Sequence, residues 1–413
     1  MTLNLPDEFV RPLYNGRSIA NIPATVAHLL NAPFAGLPRL QGELWQPMGE
    51  GIERVVVILL DAMGWNLYEE ERPFFQEMLG QTAVAERITS VFPSTTVAAL
   101  SALWTGYAPA QHSLLGFRLF LPDYATVGQL INFTPAFGYY NEILVKSGLK
   151  PEEFLQVPGV AQQLQTAVIP TYSFKDRAYV KSALSLMHGR GVQEEIGVAS
   201  FADMMVQMRQ MLEAKAGERL YAFAYWATID SLSHHYSWQH PAVKAELHAL
   251  LYQIRTELFA PLSAAARRGT AVFIAADHGQ AVCPPAEQIQ LRDHPELDKM
   301  LLMQPTGDPR AVYLYAKHGR QTDIIHYIHQ NLSHAFTPIL SEDALEAGLF
   351  GPQPHAAAAP ERVGDVVLIA RHGAALLNKL DDQRASQFVG WHGSLAAADM
   401  WVPWLGYRLD RPS

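Results

Sequence analysis

Short apolar runs alternate with amphipathic stretches along most of this chain. The runs predict β-strands over residues 53–60, 220–228, 270–276, 311–316 and 365–370. The spacing of apolar residues predicts α-helices over residues 96–104, 201–216, 242–267 and 321–332. Strands that alternate with helices are typical of an α/β fold, with a mainly parallel central sheet flanked by helices.

Three of the predicted strands end close to an aspartate. Asp61 follows the run 55–60, Asp230 lies just beyond the run 221–227, and Asp277 follows the run 270–276. The carboxyl ends of parallel strands meet at one edge of a sheet, where ligands gather in doubly wound folds. We therefore expect the three carboxylates to lie close together.

Histidines accompany two of these aspartates, and a further histidine lies late in the chain. His278 directly follows Asp277, His234 lies four residues after Asp230, and His392 belongs to a Gly-Trp-His-Gly segment. Residues four apart share one face of a helix, so Asp230 and His234 can hold one ion. Carboxylates combined with imidazoles are a typical zinc ligand set. An aspartate after a strand often only caps the next helix, and a lone histidine is more often structural. It is the combination of aspartates and histidines that favours a metal centre with two ions.

A candidate nucleophile lies in the Phe-Pro-Ser-Thr-Thr segment, residues 92–96. The apolar residues after Thr96 have helical spacing, and Gly106 is a typical stop signal. Thr96 would then lie at a helix N-terminus, where free N–H groups and the helix dipole favour an anion. A metal ion beside it would lower the pKa of the hydroxyl. The alternative is that Ser94, Thr95 and Thr96 only cap the helix.

The stretch from residue 107 to residue 200 differs from the rest of the chain. It is rich in proline, glycine and aromatic residues, and its periodicity is weak. We interpret it as a cap or insertion that shapes a substrate pocket on a single catalytic domain spanning residues 1–413. The alternative is that it forms ordinary helices and loops of the same domain.

Composition and charge restrict the classes of function. The chain has 413 residues, 49% of them hydrophobic and 17% charged, which is typical of a soluble globular enzyme. Its net charge of −9 argues against binding a nucleic acid polymer. Cys283 is the only cysteine, so neither an internal disulfide nor a thiolate cluster can form. The first residues do not have the pattern of a secretory signal, and no segment is long and apolar enough to span a membrane. We expect a cytoplasmic protein.

Taken together, these motifs resemble the alkaline phosphatase superfamily, and most closely its type I phosphodiesterase/nucleotide pyrophosphatase branch. The matching segments occur in the family's order and span residues 55–393. They are the strand ending in Asp61, Pro-Ser-Thr-Thr96 running to Thr105-Gly106, Asp230-x-x-x-His234, Asp277-His278-Gly279 and Trp391-His392-Gly393. The resemblance implies an alkaline phosphatase-like three-layer fold.

The resemblance also implies two metal ions, each held by its own group of ligands. The first group is Asp61, Thr96, Asp277 and His278. The second group is Asp230, His234 and His392. Zinc is the implied metal, although this ligand set also accepts manganese or iron. Thr96, rather than Thr95, is the implied nucleophile and would form a phosphothreonine intermediate.

One position departs from the family pattern. The related nucleotide pyrophosphatases have, three residues after the nucleophile, an asparagine that grips a phosphate oxygen, and this chain has Ala99 there. Another donor must replace it, either the N–H of Val97 or a side chain elsewhere. The implied substrate is a small phosphate ester or nucleotide-like molecule.

Two other functions remain as alternatives. One is a phosphomonoesterase or phosphonate hydrolase that uses the same metal centre, and the other is a binding protein that has lost the chemistry. Charge beside the phosphate would favour a dianionic monoester, whereas an apolar wall would favour a diester. Arg118 and Lys146 are the nearest basic residues in the predicted cap.

Overall fold

The structure is a computed structural model that describes residues 3–136, 138, 140–378, 381 and 387–411. The strands are β1 Arg54–Leu60, β2 Val84–Thr89, β3 Arg118–Leu121, β4 Thr126–Gln129, β5 Thr134–Pro135, β6 Thr171–Asp176, β7 Glu194–Val198, β8 Leu220–Trp226, β9 Thr270–Ala275, β10 Ala281–Val282, β11 Gln288–Gln290, β12 Thr306–Asp308, β13 Ala311–Leu314, β14 Phe336–Leu340, β15 Val366–Ala370, β16 Ala375–Leu377, β17 Gly390–Trp391 and β18 Trp401–Arg408.

The α-helices follow the same chain order. They are α1 Ile22–Leu29, α2 Trp65–Leu79, α3 Thr96–Thr105, α4 Pro109–His112, α5 Ile143–Lys146, α6 Pro151–Phe154, α7 Val160–Thr166, α8 Ala183–His188, α9 Phe201–Ala214, α10 Thr228–Tyr236, α11 Pro241–Gln253, α12 Ala264–Arg267, α13 Pro295–Met300, α14 Gln321–Asn331, α15 Ser341–Glu346, α16 Ala359–Arg362 and α17 Ala397–Met400. Within the described ranges, no helix is long and apolar enough to cross a membrane.

A seven-stranded, mainly parallel sheet forms the centre of the fold. Its strand order is β2-β18-β9-β1-β8-β6-β7, and only β18 runs antiparallel to the strands beside it. All seven residues of β1 are buried, as expected for a central strand covered by helices on both faces. The buried guanidinium of Arg54 is satisfied because its Nε donates to Thr270 Oγ1 of β9 at 2.9 Å. The predicted α/β fold is confirmed.

A second seven-stranded sheet is wholly antiparallel, and the sequence pattern did not predict it. Its order is β14-β15-β13-β12-β3-β4-β5. The predicted strands 311–316 and 365–370 form as β13 and β15, but they belong to this sheet and not to the parallel one. Apolar runs of four to six residues show that a strand is buried, and they carry no information on which sheet it joins.

Two other predicted features are divided in the structure. The helix predicted over 242–267 consists of α11, a π-helical turn at Ile254–Phe259, and α12. The break falls at Pro261, which has no N–H to continue a helix. The segment 107–200 contributes β3, β4 and β5 to the antiparallel sheet and β6 and β7 to the edge of the parallel sheet. That residues 1–413 act as one domain, with this segment as its cap, stays a prediction.

Candidate metal centre and active site

The register of three neighbouring parallel strands brings the predicted aspartates together. β1 lies between β8 and β9, and Leu60 of β1 pairs with Trp226 at the end of β8. The N–H of Asp61 continues this pairing, because it donates to the carbonyl of Trp226 at 3.0 Å. The ends of β1, β8 and β9 therefore lie at the same level of the sheet. Asp61 directly follows β1, and Asp277 and Asp230 lie a few residues beyond β9 and β8.

The Asp-His-Gly segment after β9 is held by backbone contacts. Oδ1 of Asp277 accepts hydrogen bonds from the N–H of Ala62 at 3.2 Å and from that of His278 at 3.0 Å. The residue after His278 must be glycine, because a Cβ at position 279 would overlap the carbonyl oxygen of Ala398. The close approach of these loops fixes the direction in which Asp277 and His278 point.

One group of candidate ligands surrounds the ring of His278. Its Nε2 lies 3.5 Å from Oδ1 of Asp61, 3.4 Å from Oδ2 of Asp277 and 3.1 Å from Oγ1 of Thr96. All four of these side chains are buried. The structure thus brings together the four residues that the sequence assigned to the first metal.

The second group lies beside the first. Asp230 and His234 project from one face of α10, with Oδ1 of Asp230 3.3 Å from Nε2 of His234. Nε2 of His392 lies 3.8 Å from the same oxygen. His392 is placed here because β17 pairs with β10, the strand that follows Gly279. The rings of His392 and His278 stack with centroids 3.8 Å apart, so the two groups are in contact.

All three histidines are anchored in the same way. Nδ1 of His278 lies 3.0 Å from the carbonyl of Gly279, Nδ1 of His234 lies 2.7 Å from that of Gly390, and Nδ1 of His392 lies 3.1 Å from that of Ser94. A carbonyl oxygen only accepts, so each Nδ1 carries the hydrogen. A ring with its hydrogen on Nδ1 directs Nε2 to the centre, which is how metal-ligating histidines are usually oriented.

The carboxylates have the electrostatics of a site built for cations. Oδ1 of Asp61 and Oδ2 of Asp277 are buried and have no hydrogen-bond partner among the described residues. Burial raises the pKa of Asp61 well above its usual value, and the nearby charges of Asp277 and Asp230 raise it further. Such orphaned, mutually repelling oxygens fit divalent cations, which would neutralise them.

The pKa shifts in the second group, Asp230, His234 and His392, differ from those in the first. Burial raises the pKa of Asp230, but the adjacent His234 and then His392 outweigh burial and hold that pKa below its usual value. Burial lowers the pKa of His234, yet Asp230 outweighs burial and leaves it raised. Burial, reinforced by the charge of His278, lowers the pKa of His392 well below its usual value. A neutral His392 is the form that binds a metal.

Two sets of three residues could each hold a metal ion, because within each set the ligand atoms lie within 4.8 Å of one another. One set is Asp230, His234 and His392, and the other is Asp61, Asp230 and His278. The first is the set that the sequence assigned to the second metal. Asp230 belongs to both sets, so it lies between the two groups.

The two adjacent threonines point to different partners. Thr95 precedes helix α3, and its hydroxyl donates to Oδ1 of Asp308 at 2.8 Å. Thr96 is the first residue of α3, and its hydroxyl faces His278. Thr96 is therefore the hydroxyl that lies at the cluster of candidate metal ligands, at the amino end of a ten-residue helix.

Two cavities lie beside Thr96, which lines both. The first has a volume of about 510 Å³, and its wall includes the aromatic residues Trp104, Tyr179, Phe223 and Tyr225 together with Lys175. We call it the aromatic cavity. The second has a volume of about 370 Å³, and its wall includes Arg118, Gln129 and Phe388 as well as Asp230, His234 and His392. We call it the arginine cavity.

The cations of both cavities are already paired. Nζ of Lys175 lies 2.8 Å from Oε1 of Glu195, and Nη2 of Arg118 lies 2.7 Å from Oδ1 of Asp381. Lys146, which the sequence placed near the site, is exposed and is not among the residues that line either cavity.

Sequence analysis missed several residues of the site. Lys175 lies in β6, a strand that the apolar pattern did not predict, although Ser173 and Lys175 alternate as two residues on one face of a strand do. Tyr225 donates a hydrogen bond to Asp61, and Gln280 donates one to Asp230 at 3.0 Å. Neither contact has a signal in the sequence, since the partners are far apart along the chain.

Comparison with solved structures identifies proteins of similar fold. Murine ectonucleotide pyrophosphatase / phosphodiesterase 5 matches with a TM-score of 0.60 and 18% identity, over 86% of this chain and 87% of that one. An inactive form of the same murine protein, in complex with AMP, matches with a TM-score of 0.59 and 17% identity, over 86% and 88% of the two chains. Phosphonoacetate hydrolase from Sinorhizobium meliloti, in complex with phosphonoformate, matches with a TM-score of 0.60 and 17% identity, over 86% and 89%.

Comparison of the sequence with models of protein families identifies the family of this chain. No curated protein matches this chain at a significant level. The model of the type I phosphodiesterase / nucleotide pyrophosphatase family, however, matches residues 55–395, the range that contains all of the candidate ligands. The chain therefore belongs to the type I phosphodiesterase / nucleotide pyrophosphatase family and is a phosphoric ester hydrolase.

Proposed function

We propose that this protein is a metal-dependent phosphodiesterase of the nucleotide pyrophosphatase type, with two metal ions and a phosphothreonine intermediate on Thr96. The observation that carries the proposal is the position of the Thr96 hydroxyl, 3.1 Å from Nε2 of His278 and at the start of α3. This hydroxyl lies directly against a cluster of buried carboxylates and imidazoles, which supports its role as the nucleophile.

The residues that would hold the metals are those of the two ligand groups. Asp61, Asp277 and His278, with Thr96, would hold one ion. Asp230, His234 and His392 would hold the other. When bound, a pair of divalent cations lowers the pKa of a nearby hydroxyl and stabilises charge on phosphate oxygens. We favour zinc from the mixed aspartate and histidine set, although manganese or iron suits the same ligands.

The role of Thr96 follows from its position. Its oxygen attacks phosphorus, the hydroxyl proton is lost, and the bond from phosphorus to one ester oxygen breaks, so that an alcohol or a phosphate leaves after taking up a proton. Water then attacks the phosphothreonine and breaks the bond between phosphorus and Oγ1. The products are one alcohol or phosphate, one phosphate monoester and free Thr96. The dipole of α3 favours the charge that develops next to its first turn.

The two cavities favour a diester over a dianionic phosphate. Lys175 is paired with Glu195, and Arg118 is paired with Asp381, so neither cavity offers a cation without a counter-ion among the residues described here. The walls of the aromatic cavity suit an organic ester group, such as an aryl or nucleoside group. A small, singly charged phosphate ester or nucleotide-like molecule is thus the substrate class we propose, and not a nucleic acid polymer.

A phosphonate hydrolase is the second candidate. It is favoured by the presence of Lys175 in the wall of the aromatic cavity, since a buried lysine suits a substrate with a second anionic group. This alternative predicts that the pair Lys175–Glu195 opens when the substrate binds.

Substrate assays test the proposal directly. The purified protein is assayed with bis-p-nitrophenyl phosphate, p-nitrophenyl phosphate and phosphonoacetate, with and without a chelator, and its metal content is measured. We expect chelator-sensitive cleavage of the diester and about two bound ions per chain. Preferred cleavage of phosphonoacetate would support the second candidate, preferred cleavage of the monoester would indicate a phosphomonoesterase, and cleavage of none would indicate a binding protein.

Paired threonine variants test the covalent step. Thr96→Ala should abolish turnover, and wild-type protein quenched during turnover should carry a phosphate on the peptide that contains Thr96. Thr95→Val is the matched control, because the Thr95 hydroxyl binds Asp308 and not the ligand cluster. Unchanged turnover in Thr96→Ala would exclude the covalent mechanism.

A further inference from the structure

Arg118 lies at a fixed position relative to the nucleophile. It is the first residue of β3, and it pairs with Gly307 of β12. The next residue of β12, Asp308, binds both the Thr95 hydroxyl and the N–H of Phe117, the latter at 3.1 Å. One carboxylate therefore links the start of β3 to the start of the helix that carries Thr96.

Arg118 lines the arginine cavity, and its side chain has an unpaired donor. It is only 9% exposed and lines this cavity together with Thr96, His234 and His392. Its Nη2 is engaged by Asp381, but its Nε is buried and has no hydrogen-bond partner among the described residues. A buried donor without an acceptor is costly, so an acceptor that comes within reach of this guanidinium would be bound favourably.

The chemistry of that acceptor follows from the guanidinium. Arginine presents a planar set of N–H donors that matches the oxygens of phosphate. Because Asp381 balances the charge, Arg118 would act through a directed hydrogen bond more than through net attraction. Such a donor suits a phosphate that carries one negative charge, as a diester does.

Arg118 can also supply the donor that is missing at Ala99, where the related enzymes have an asparagine. The Ala99 side chain is a buried methyl group with no donor, and the N–H of Ala99 is used within the helix by the carbonyl of Thr95 at 2.9 Å. A side-chain donor to the substrate's phosphate, in place of the family asparagine, must therefore come from another element. β3 supplies one on the wall of the same cavity.

We propose that Arg118 binds an anionic phosphate oxygen of the substrate in the arginine cavity. The inference rests on the proposed function, since it concerns the same reaction at Thr96. The oxygen belongs either to the phosphoryl group that is transferred or, in a diphosphate substrate, to the second phosphate.

Kinetic comparison of matched arginine variants tests the proposal. Arg118→Gln and the more conservative Arg118→Lys are compared with Arg362→Gln. Arg362 is also buried with an unpartnered Nε, but it is not among the residues that line either cavity. We expect Arg118→Gln to lower kcat/KM by about 10- to 100-fold, the effect of losing a charge-assisted hydrogen bond, with unchanged metal content. Arg118→Lys should lose less, and Arg362→Gln should behave as wild type.

Two substrates identify the oxygen. A loss with both bis-p-nitrophenyl phosphate and diadenosine diphosphate assigns Arg118 to the transferred phosphoryl group. A loss with diadenosine diphosphate alone assigns it to the second phosphate. Equal kcat/KM in Arg118→Gln and wild type, with both substrates, overturns the proposal.

Asp381→Asn separates substrate binding from a structural role. If Arg118 only holds Asp381 in place, removing either partner should lower activity equally, and that result overturns the proposal. If Arg118 binds phosphate, Asp381→Asn should keep most of the activity.

Should the wild type cleave neither substrate, the proposed function fails. Binding of inorganic phosphate to the metal-loaded protein, measured by calorimetry, then decides the inference: weaker binding in Arg118→Gln supports it, and equal binding overturns it.

Discussion

Tyr225 donates a hydrogen bond from its phenolic hydroxyl to Oδ2 of Asp61. The two residues lie at the ends of the paired central strands β8 and β1. Burial raises the pKa of Tyr225 well above its usual value, and the charge of Asp61 adds to this, so the hydroxyl keeps its proton and remains a donor. The contact leaves Oδ1 of Asp61 for a metal ion.

We therefore predict that Tyr225→Phe weakens metal binding by about 10- to 100-fold, as is usual when the hydrogen-bond partner of a ligand is removed. The measurement is a metal titration in competition with a chelating dye. Tyr407→Phe is the matched control, since the buried Tyr407 hydroxyl has no hydrogen-bond partner among the residues that the structure describes. Equal metal affinity in the two variants would contradict a positioning role for Tyr225.

Asp308 makes the stability of the metal-free protein depend on pH. Burial raises its pKa from 3.8 to about 6, although the hydrogen bonds from Thr95 and from the N–H of Phe117 act in the opposite direction. The folded state thus holds this proton more tightly than the unfolded state does. Its contribution to the free energy of unfolding is complete below about pH 4 and is lost as the pH rises through about 6.

Asp308→Asn tests this linkage because the amide cannot ionise. Relative to the variant, the wild type should lose about 2–3 kcal/mol of unfolding free energy between pH 4 and pH 7. Denaturant titrations at several pH values, in the presence of a chelator, measure the difference. Parallel stability curves for the two proteins would show that the folded-state pKa of Asp308 is ordinary.

A buried ion pair joins the second sheet to the loop that carries His392. Nε of Arg310 lies 2.9 Å from Oδ2 of Asp399, which also accepts from the N–H of Ser394 at 2.9 Å. Asp399→Asn should lower the free energy of unfolding by about 3–5 kcal/mol, because it leaves the Arg310 charge buried and unpaired. Asp323→Asn is the control at the exposed pair Arg320–Asp323 and should cost less than about 1 kcal/mol. Similar losses measured by chemical denaturation would show that burial does not set the effect.

Cys283 should be inert in the native protein. It is fully buried, its Sγ accepts a hydrogen bond from Nη1 of Arg310 at 3.3 Å, and burial raises the pKa of its thiol to about 11. At pH 8 only about one molecule in a thousand would carry a thiolate, and that thiolate would be shielded. We expect no reaction with dithionitrobenzoic acid until denaturant is added, followed by the release of one equivalent. Rapid labelling of the native protein would contradict the buried position.

Much of the candidate metal centre was predictable because its candidate ligands follow strands with strong apolar patterns. The runs before Asp61, Asp230 and Asp277 are buried in a parallel sheet, and parallel strands present their carboxyl ends at one edge. The helical spacing of Asp230 and His234 likewise fixed which side chains share a face. These are local properties, and local properties are what a sequence shows.

Other features depend on contacts between distant segments. The donor to Asp61, the paired cations at Lys175 and Arg118, and the existence of a separate antiparallel sheet could not be read from any local pattern. Neighbouring Thr95 and Thr96 have the same chemistry, and only the approach of Asp308 gives their hydroxyls different partners. The sequence by itself determined which side chains are available for the chemistry and the strand ends from which they project. The tertiary structure decided their orientation and pairing, because hydrogen bonds and ion pairs act over a few ångströms between residues that lie hundreds of positions apart in the chain.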